Sequence, residues 1–142
     1  MTRLTAAIAA VLILLTAAVQ PTPAAADDAT AAIRSVIDGQ IAAFQADDGA
    51  AAYSYAAPSI RQIFTSPETF MSMVRSGYQP VYRPKSITDG RLREAGGHFV
   101  QEVFVVGPDG EFYTALYALQ QQPDGEWKIS GCRIALTVGE SA

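Results

Sequence analysis

Glu102 stands in the middle of an apolar, strand-like run, with Val100 and Phe104 two residues to either side. A carboxylate in such a place must find a partner or shift its pKa, and one that faces a cavity has the chemistry of a general base. Pairing with Arg91 or Arg93 of the preceding strand, or emergence at a sheet edge, is the alternative. His98, the single histidine, follows Gly96-Gly97 at a strand start. It serves in proton transfer only at a cavity mouth beside a carboxylate, and is otherwise an exposed hairpin residue. One histidine excludes a multi-histidine metal site. Cys132, His98 and an acid show no ligand spacing, so neither metal nor cofactor is expected. There is no nucleophile elbow, phosphate-cradling glycine loop, paired cysteine motif or HExxH. Glu102 and His98 are thus catalytic candidates without a signature, and no catalytic residue is assigned.

A second group lies on alternate positions of the same region. Strand alternation places Gln101, Tyr117 and Arg133 on a diagonal across three strands, beside Tyr113 and Trp127. Such a group holds a small acidic or aromatic ligand, or forms the hydrogen-bonded centre of a dimer interface. Cys132 reads as a buried small hydrophobe, with a reactive thiol or an intermolecular disulfide as the alternatives. Tyr53, Tyr55, Tyr78 and Tyr82 on the helical side are numerous enough to suggest a ligand pocket there, with core packing the better reading for most of them.

The elements that must position these residues follow from periodicity. Ile33, Val36, Ile37, Ile41 and Phe44 lie on one face of a helix over Ala31–Phe44, with Thr30 as N-cap. Residues 50–64 carry a second stripe interrupted at Pro58, which predicts two short helical pieces. Ser66-Pro67 starts a third helix that buries Phe70, Met73 and Val74 and ends at Gly77. Two prolines in Tyr78–Pro84 predict an extended connection. Beyond it the period becomes two, with strands at Ser86–Glu94, His98–Val106, Glu111–Gln121 and Trp127–Val138. Pro108-Asp109-Gly110 and Pro123-Asp124-Gly125 predict hairpin loops that set Val106 opposite Phe112 and Gln121 opposite Trp127. The fold class is α+β, with N-terminal helices packed on a curved, cone-like antiparallel meander of four strands.

Strict alternation then divides the sheet into two faces. One carries Val100, Glu102, Phe104, Phe112, Thr114, Leu116, Cys132, Ile134 and Leu136. The other carries Phe99, Gln101, Val103, Val105, Tyr113, Tyr117, Leu119, Trp127, Ile129 and Arg133. Both are apolar enough to need cover, and the helices can cover only one. Sheet curvature, the C-terminal tail or a second copy must cover the other.

Arg3, an apolar run from Leu4 to Val19, the breaker Gln20-Pro21-Thr22-Pro23 and the small residues Ala24-Ala25-Ala26 read as a cleavable secretory signal over residues 1–26. Cleavage before Asp27 leaves one domain, 27–142, in the periplasm or outside the cell, with its structured core near residues 31–138. No lipid-accepting cysteine stands near the cut, so no membrane anchor is expected after cleavage. Loss of Arg3 leaves nine of the ten basic residues against fourteen acidic ones, and no basic cluster, which argues against nucleic acid. With a single cysteine, the domain forms no internal disulfide and must hold together by packing.

Gly77-Tyr78-Gln79-Pro80-Val81-Tyr82-Arg83-Pro84, the run from Gln101 to Gly110, and Trp127-Lys128-Ile129-Ser130-Gly131-Cys132 together resemble an uncharacterised family of small bacterial exported proteins, domain of unknown function 4864. The element order resembles the cone of the nuclear transport factor two-like fold. The resemblance implies a fold and a location, and carries no activity or catalytic residue. The expectation for function is a non-catalytic module that binds a small molecule or a protein, dimerising through its exposed sheet face. An isomerase or lyase with Glu102 as base in a conical pocket, and a structural part of an envelope assembly, are the alternatives.

Overall fold

The computed structural model of the protein describes residues 23–137. Most of the signal read over residues 1–26, and Val138 at the end of the last strand, lie outside the described residues. Helix α1 (Pro23–Gln45) starts well before Ala31, so Thr30 lies inside the helix and is not its N-cap. The alanine-rich stretch ahead of Ile33 has high helix propensity, and proline suits a first helical position. Ile33, Ile37, Ile41 and Phe44 are buried along one stripe, as their spacing predicts. The helix ends in a Schellman motif, with Asp47 left-handed at φ 53° and the Asp48 N–H bonded to the Ala43 carbonyl at 2.9 Å.

The second stripe divides at Pro58 into α2 (Gly49–Ser54), capped by the Asp48 carboxylate, and α3 (Pro58–Ile63). Helix α4 (Pro67–Gly77) is capped by Ser66, whose hydroxyl accepts from the Thr69 N–H at 3.2 Å. The connection after it is not extended: Gln79–Tyr82 form the single turn α5. Pro80 sits in the first turn, where a missing N–H costs nothing, and so starts a helical turn here.

Strands β1 (Ser86–Ala95), β2 (His98–Val106), β3 (Phe112–Gln121) and β4 (Trp127–Leu136) form an open antiparallel sheet in sequence order. Val106 pairs with Phe112 and Gln121 with Trp127, as the loops predict. Gly110 and Gly125 take left-handed conformations, which closes both Pro-Asp-Gly loops. Gly96 and Gly97, both left-handed, make the first hairpin loop two residues long, with Ala95 opposite His98.

Two register shifts change the reading of the faces. In β1 the pairing jumps between Asp89 and Leu92, leaving Gly90 and Arg91 against Glu102. In β4 it jumps between the Leu119–Ile129 and Ala118–Gly131 pairs, so that Ser130 is the extra residue. Beyond that bulge every β4 side chain is on the face opposite to the one strict alternation assigns. Cys132 pairs with Tyr117, Ile134 with Ala115 and Leu136 with Tyr113, which puts them on the Gln101 face; Arg133 pairs with Leu116 and joins the Glu102 face. The expected diagonal of Gln101, Tyr117 and Arg133 is therefore broken at Arg133.

The helices cover the Gln101 face. Val103, Val105, Ala115, Tyr117, Leu119 and Ile129 are buried there against the stripes of α1 and α4. A 2.7 Å ion pair from Arg34 to Asp89 ties α1 to β1. The other face has no covering element among the described residues, and leaves Phe104 and Leu116 about 40% exposed and Phe112 66% exposed.

Candidate functional site

The helices and the sheet do not close completely on each other. Between them lies a cavity of about 260 Å³, walled by Gln40 and Phe44 of α1, Ile60 of α3, Met73 of α4, and Tyr117, Ile129 and Cys132 of the sheet among others. The α2–α3 connection holds one wall in place. Ala57 donates to the Ile129 carbonyl and Ile129 donates back to Tyr55, both at 2.8 Å, so this connection runs as a short parallel bridge along the edge of β4. Tyr53 donates to the Phe64 carbonyl at 2.6 Å, and Arg61 bonds the Ser54 and Ala56 carbonyls while lying over the Tyr53 ring. The wall is thus built from backbone acceptors that a loop would otherwise leave unpaired.

The polar groups of this cavity are few and uncharged. Gln40, buried, spends its amide donor on the Ala52 carbonyl at 3.2 Å. Tyr78 donates to the Cys132 carbonyl at 3.3 Å. Tyr117 is 1% exposed, and its hydroxyl is the one buried side-chain polar atom without a hydrogen-bond partner among the described residues. Burial holds the Tyr117 hydroxyl well above its ordinary pKa, with the Cys132 thiol close enough to add to the shift. Their contact is at most a weak sulfur hydrogen bond and falls short of a regular one. Burial likewise pushes the Cys132 thiol up to about 12, against a smaller lowering by Tyr117. Part of the Cys132 residue reaches the surface, but its sulfur is held inside. Both groups keep their protons at neutral pH, and neither has a base beside it. The cavity offers an apolar shape, with the Tyr117 side chain in its wall and its hydroxyl buried just behind.

The other residues singled out from the sequence lie elsewhere. Gln101 is buried outside this cavity, and its amide donates to the Gly90 carbonyl at 3.2 Å and the Glu102 carbonyl at 2.8 Å. It satisfies the backbone that the β1 bulge frees, so the structure places it as a brace beneath the helices and not on an exposed interface. Tyr113 turns its hydroxyl out to Asp109, 2.6 Å away, at the second hairpin. That bond raises the Tyr113 pKa and lowers that of Asp109. Glu102 is half-buried on the uncovered face, across the sheet from the cavity. Its carboxylate occupies the space a side chain at Gly90 would need, and forms no ion pair with Arg91 or Arg93. His98 is exposed at the first hairpin, with Nδ1 3.1 Å from the Gln120 amide. No group of three or more His, Cys, Asp and Glu residues among those described is arranged to hold a metal.

One charged cluster has no forecast in the sequence. Asp47 binds Arg83 at 2.8 Å, lies 3.8 Å from Arg75, and accepts a very short bond from the Tyr82 hydroxyl. That bond, more than the arginines, lowers its pKa. Tyr82 and Arg83 donate to Asp47, and Arg83 donates to the Phe44 carbonyl as well, so the cluster fastens α5 to the α1 terminus. For the cavity itself, the sequence passes over Gln40, and it reads Cys132 as buried but on the wrong face of the sheet. The signal for the second was Gly131, since a glycine inside a strand pattern marks a bulge.

The profile of a protein family described as "Domain of unknown function (DUF4864)" matches residues 26–142 of the chain. No curated protein matches it.

Proposed function

We propose that this chain, which belongs to the domain of unknown function 4864 family, is an exported, non-catalytic module that takes a small, neutral, largely apolar molecule into the cavity between its helices and its sheet. Tyr117 carries the reading. A buried hydroxyl without a partner costs about 1–3 kcal/mol, and native proteins rarely leave one so without reason. A ligand with one hydrogen-bonding oxygen that shifts the packing over the Tyr117 hydroxyl turns that cost into a bond, while its apolar body fills the remaining space. An apolar cavity of about 150 Å³ is enough for benzene, so about 260 Å³ suits a substituted ring or a short branched chain.

Absence of catalysis is supported by the protonated state of Tyr117 and Cys132 and by the position of Glu102 and His98 away from the cavity. With no charged side chain on the cavity wall, a carboxylate ligand finds no counter-ion there. Export rests on Arg3, the run from Leu4 to Val19, and Ala24-Ala25-Ala26.

Native mass spectrometry of the purified mature protein tests the binding, together with melting curves in benzene, acetophenone and benzoate. Acetophenone, with one acceptor on an apolar ring, is expected to raise the melting temperature most, and benzoate least. A protein that carries no bound mass and is stabilised by none of the three overturns the reading. Export is checked by N-terminal sequencing of protein released from cells, which is expected to begin at Asp27.

A further inference from the structure

The uncovered face of the sheet has a pattern of its own. Three rows cross β2, β3 and β4 on that face: Val100–Ala118–Gly131, Glu102–Leu116–Arg133 and Phe104–Thr114–Ala135. In each row the β2 side chain is matched, two strands away, by its complement on β4. Val100 is answered by Gly131, Phe104 by Ala135, and the acid Glu102 by the base Arg133. Leu116 stands on the central strand between the two charges. Neighbouring strands lie about 4.8 Å apart, so Glu102 and Arg133 are separated by roughly 10 Å within one chain. Among the described residues neither has an ion-pair partner.

We propose that this face binds a second copy of the same chain, related by a two-fold axis that runs along β3 over Leu116. Such an axis leaves each row in place and exchanges its ends. Glu102 of each copy then meets Arg133 of the other, Val100 rests on Gly131, Phe104 rests on Ala135, and Leu116 packs on its own symmetry mate. Large side chains opposite small ones is what two facing sheets need to interdigitate, and aligned strands are a common packing geometry. A two-fold axis lying across the strands would instead set Glu102 on Glu102 and Arg133 on Arg133, so the charges select the first arrangement. A depression that wraps the β4 edge, lined by Thr114, Leu116, Arg133 and Ala135 on this face and by Gly77 and Tyr78 behind it, borders the Ala135 end of the third row. Three strands overlap about this axis, β1 of each copy lying outside it, and they present roughly 450 Å² in projection, a small interface beside the roughly 800 Å² per partner of a standard one and in keeping with a weak dimer.

The Ser130 bulge is what makes the face self-complementary, because it brings Arg133, Gly131 and Ala135 outward. The proposal does not depend on the cavity being a binding site, which lies on the other side of the sheet.

Sedimentation velocity and native mass spectrometry of the mature protein at concentrations near 0.1 mM are expected to report a dimer. Glu102→Lys and Arg133→Glu, each altering both symmetric contacts, are expected to weaken dimerisation at least tenfold. The double variant Glu102→Lys/Arg133→Glu is expected to recover most of that loss. Leu116→Lys, which sets two ammonium groups together on the axis, is expected to give a monomer. Circular dichroism and melting curves check that each variant keeps the fold. A monomeric native protein overturns the proposal, as does a dimer indifferent to the single reversals. Failure of the double variant to recover, with the fold intact, overturns the placement of the axis.

Discussion

Replacing Tyr117 by phenylalanine removes one oxygen from a side chain that is 1% exposed, and leaves the ring and its packing in place. In most proteins losing a buried tyrosine hydroxyl costs stability, because a hydrogen bond goes with it. Here no regular hydrogen bond is lost, only a weak contact with the Cys132 thiol. The folded state carries instead the desolvation of an unsatisfied hydroxyl, about 1–3 kcal/mol, while the unfolded chain has that group in water. Tyr117→Phe is therefore expected to stabilise the ligand-free protein by about 1–3 kcal/mol. For a domain of this size each kcal/mol corresponds to roughly 4 °C in melting temperature. A ligand held by the hydroxyl should bind the variant more weakly, by roughly two- to tenfold for one neutral hydrogen bond. Stability and affinity thus move in opposite directions. Urea denaturation of the ligand-stripped protein, with acetophenone titrations in parallel, measures both. A variant destabilised by 1 kcal/mol or more would show the hydroxyl to be satisfied already, by ordered water for instance, and would refute the argument that it awaits a ligand.

Cys132, with its thiol pushed up to about 12 against an ordinary 9.0, is expected to react with iodoacetamide at pH 8.5 roughly a thousandfold more slowly than in the urea-unfolded chain. The same shift makes stability depend on alkaline pH. Because the folded pKa is the higher one, the contribution is complete below about pH 9 and is lost as pH rises from there towards 12. Denaturation series at pH 8, 10 and 11 should show the fall, and Cys132→Ala should lessen it. Asp47 has the opposite sign: its folded pKa lies below 3.8, so its contribution is present above that value and disappears as pH falls through the folded one. Asp47→Asn, which also tolerates the left-handed backbone, should therefore flatten the acid limb of the stability curve measured from pH 6 to pH 2. Gly97→Ala places a Cβ in open space but on a left-handed residue, so it is expected to cost about 1–2 kcal/mol in urea denaturation through backbone strain alone.

Much of the architecture is legible from local chemistry. The isoleucine stripe of α1, the Ser66 cap and the two Pro-Asp-Gly loops each state a structural requirement within a few residues, and each is met. What escapes is whatever depends on a single inserted residue. Alternation along β4 assigns Arg133 to the helix side and Cys132 to the open side, and the extra residue Ser130 reverses both. Gly131 held that information, as did Gly90 in β1, but a glycine marks a bulge without saying which neighbour is displaced. The cavity is hidden for another reason. Its wall combines α1, α3, α4 and two strands, and no periodicity within one element reports how far apart packed elements come to rest. Gln101 shows the same limit from the other side. Its polarity suggests a binding role, yet it answers a carbonyl that only the bulge leaves free.

An open sheet has two margins, and each is an invitation to foreign strands. In this protein both are spoiled. Along β1 the break between Asp89 and Leu92 interrupts the row of backbone donors and acceptors, and Arg91, Arg93 and Glu94 stand exposed beside it. Along β4 the 55–57 segment consumes both hydrogen-bonding groups of Ile129, and Tyr78 takes the carbonyl of Cys132. No uninterrupted ribbon remains to seed cross-β growth, because charges and kinks on a sheet margin are what natural proteins set against fibre formation. Among the described residues, a sheet that is left unclosed therefore offers no continuous edge from which β-structure could propagate sideways from molecule to molecule.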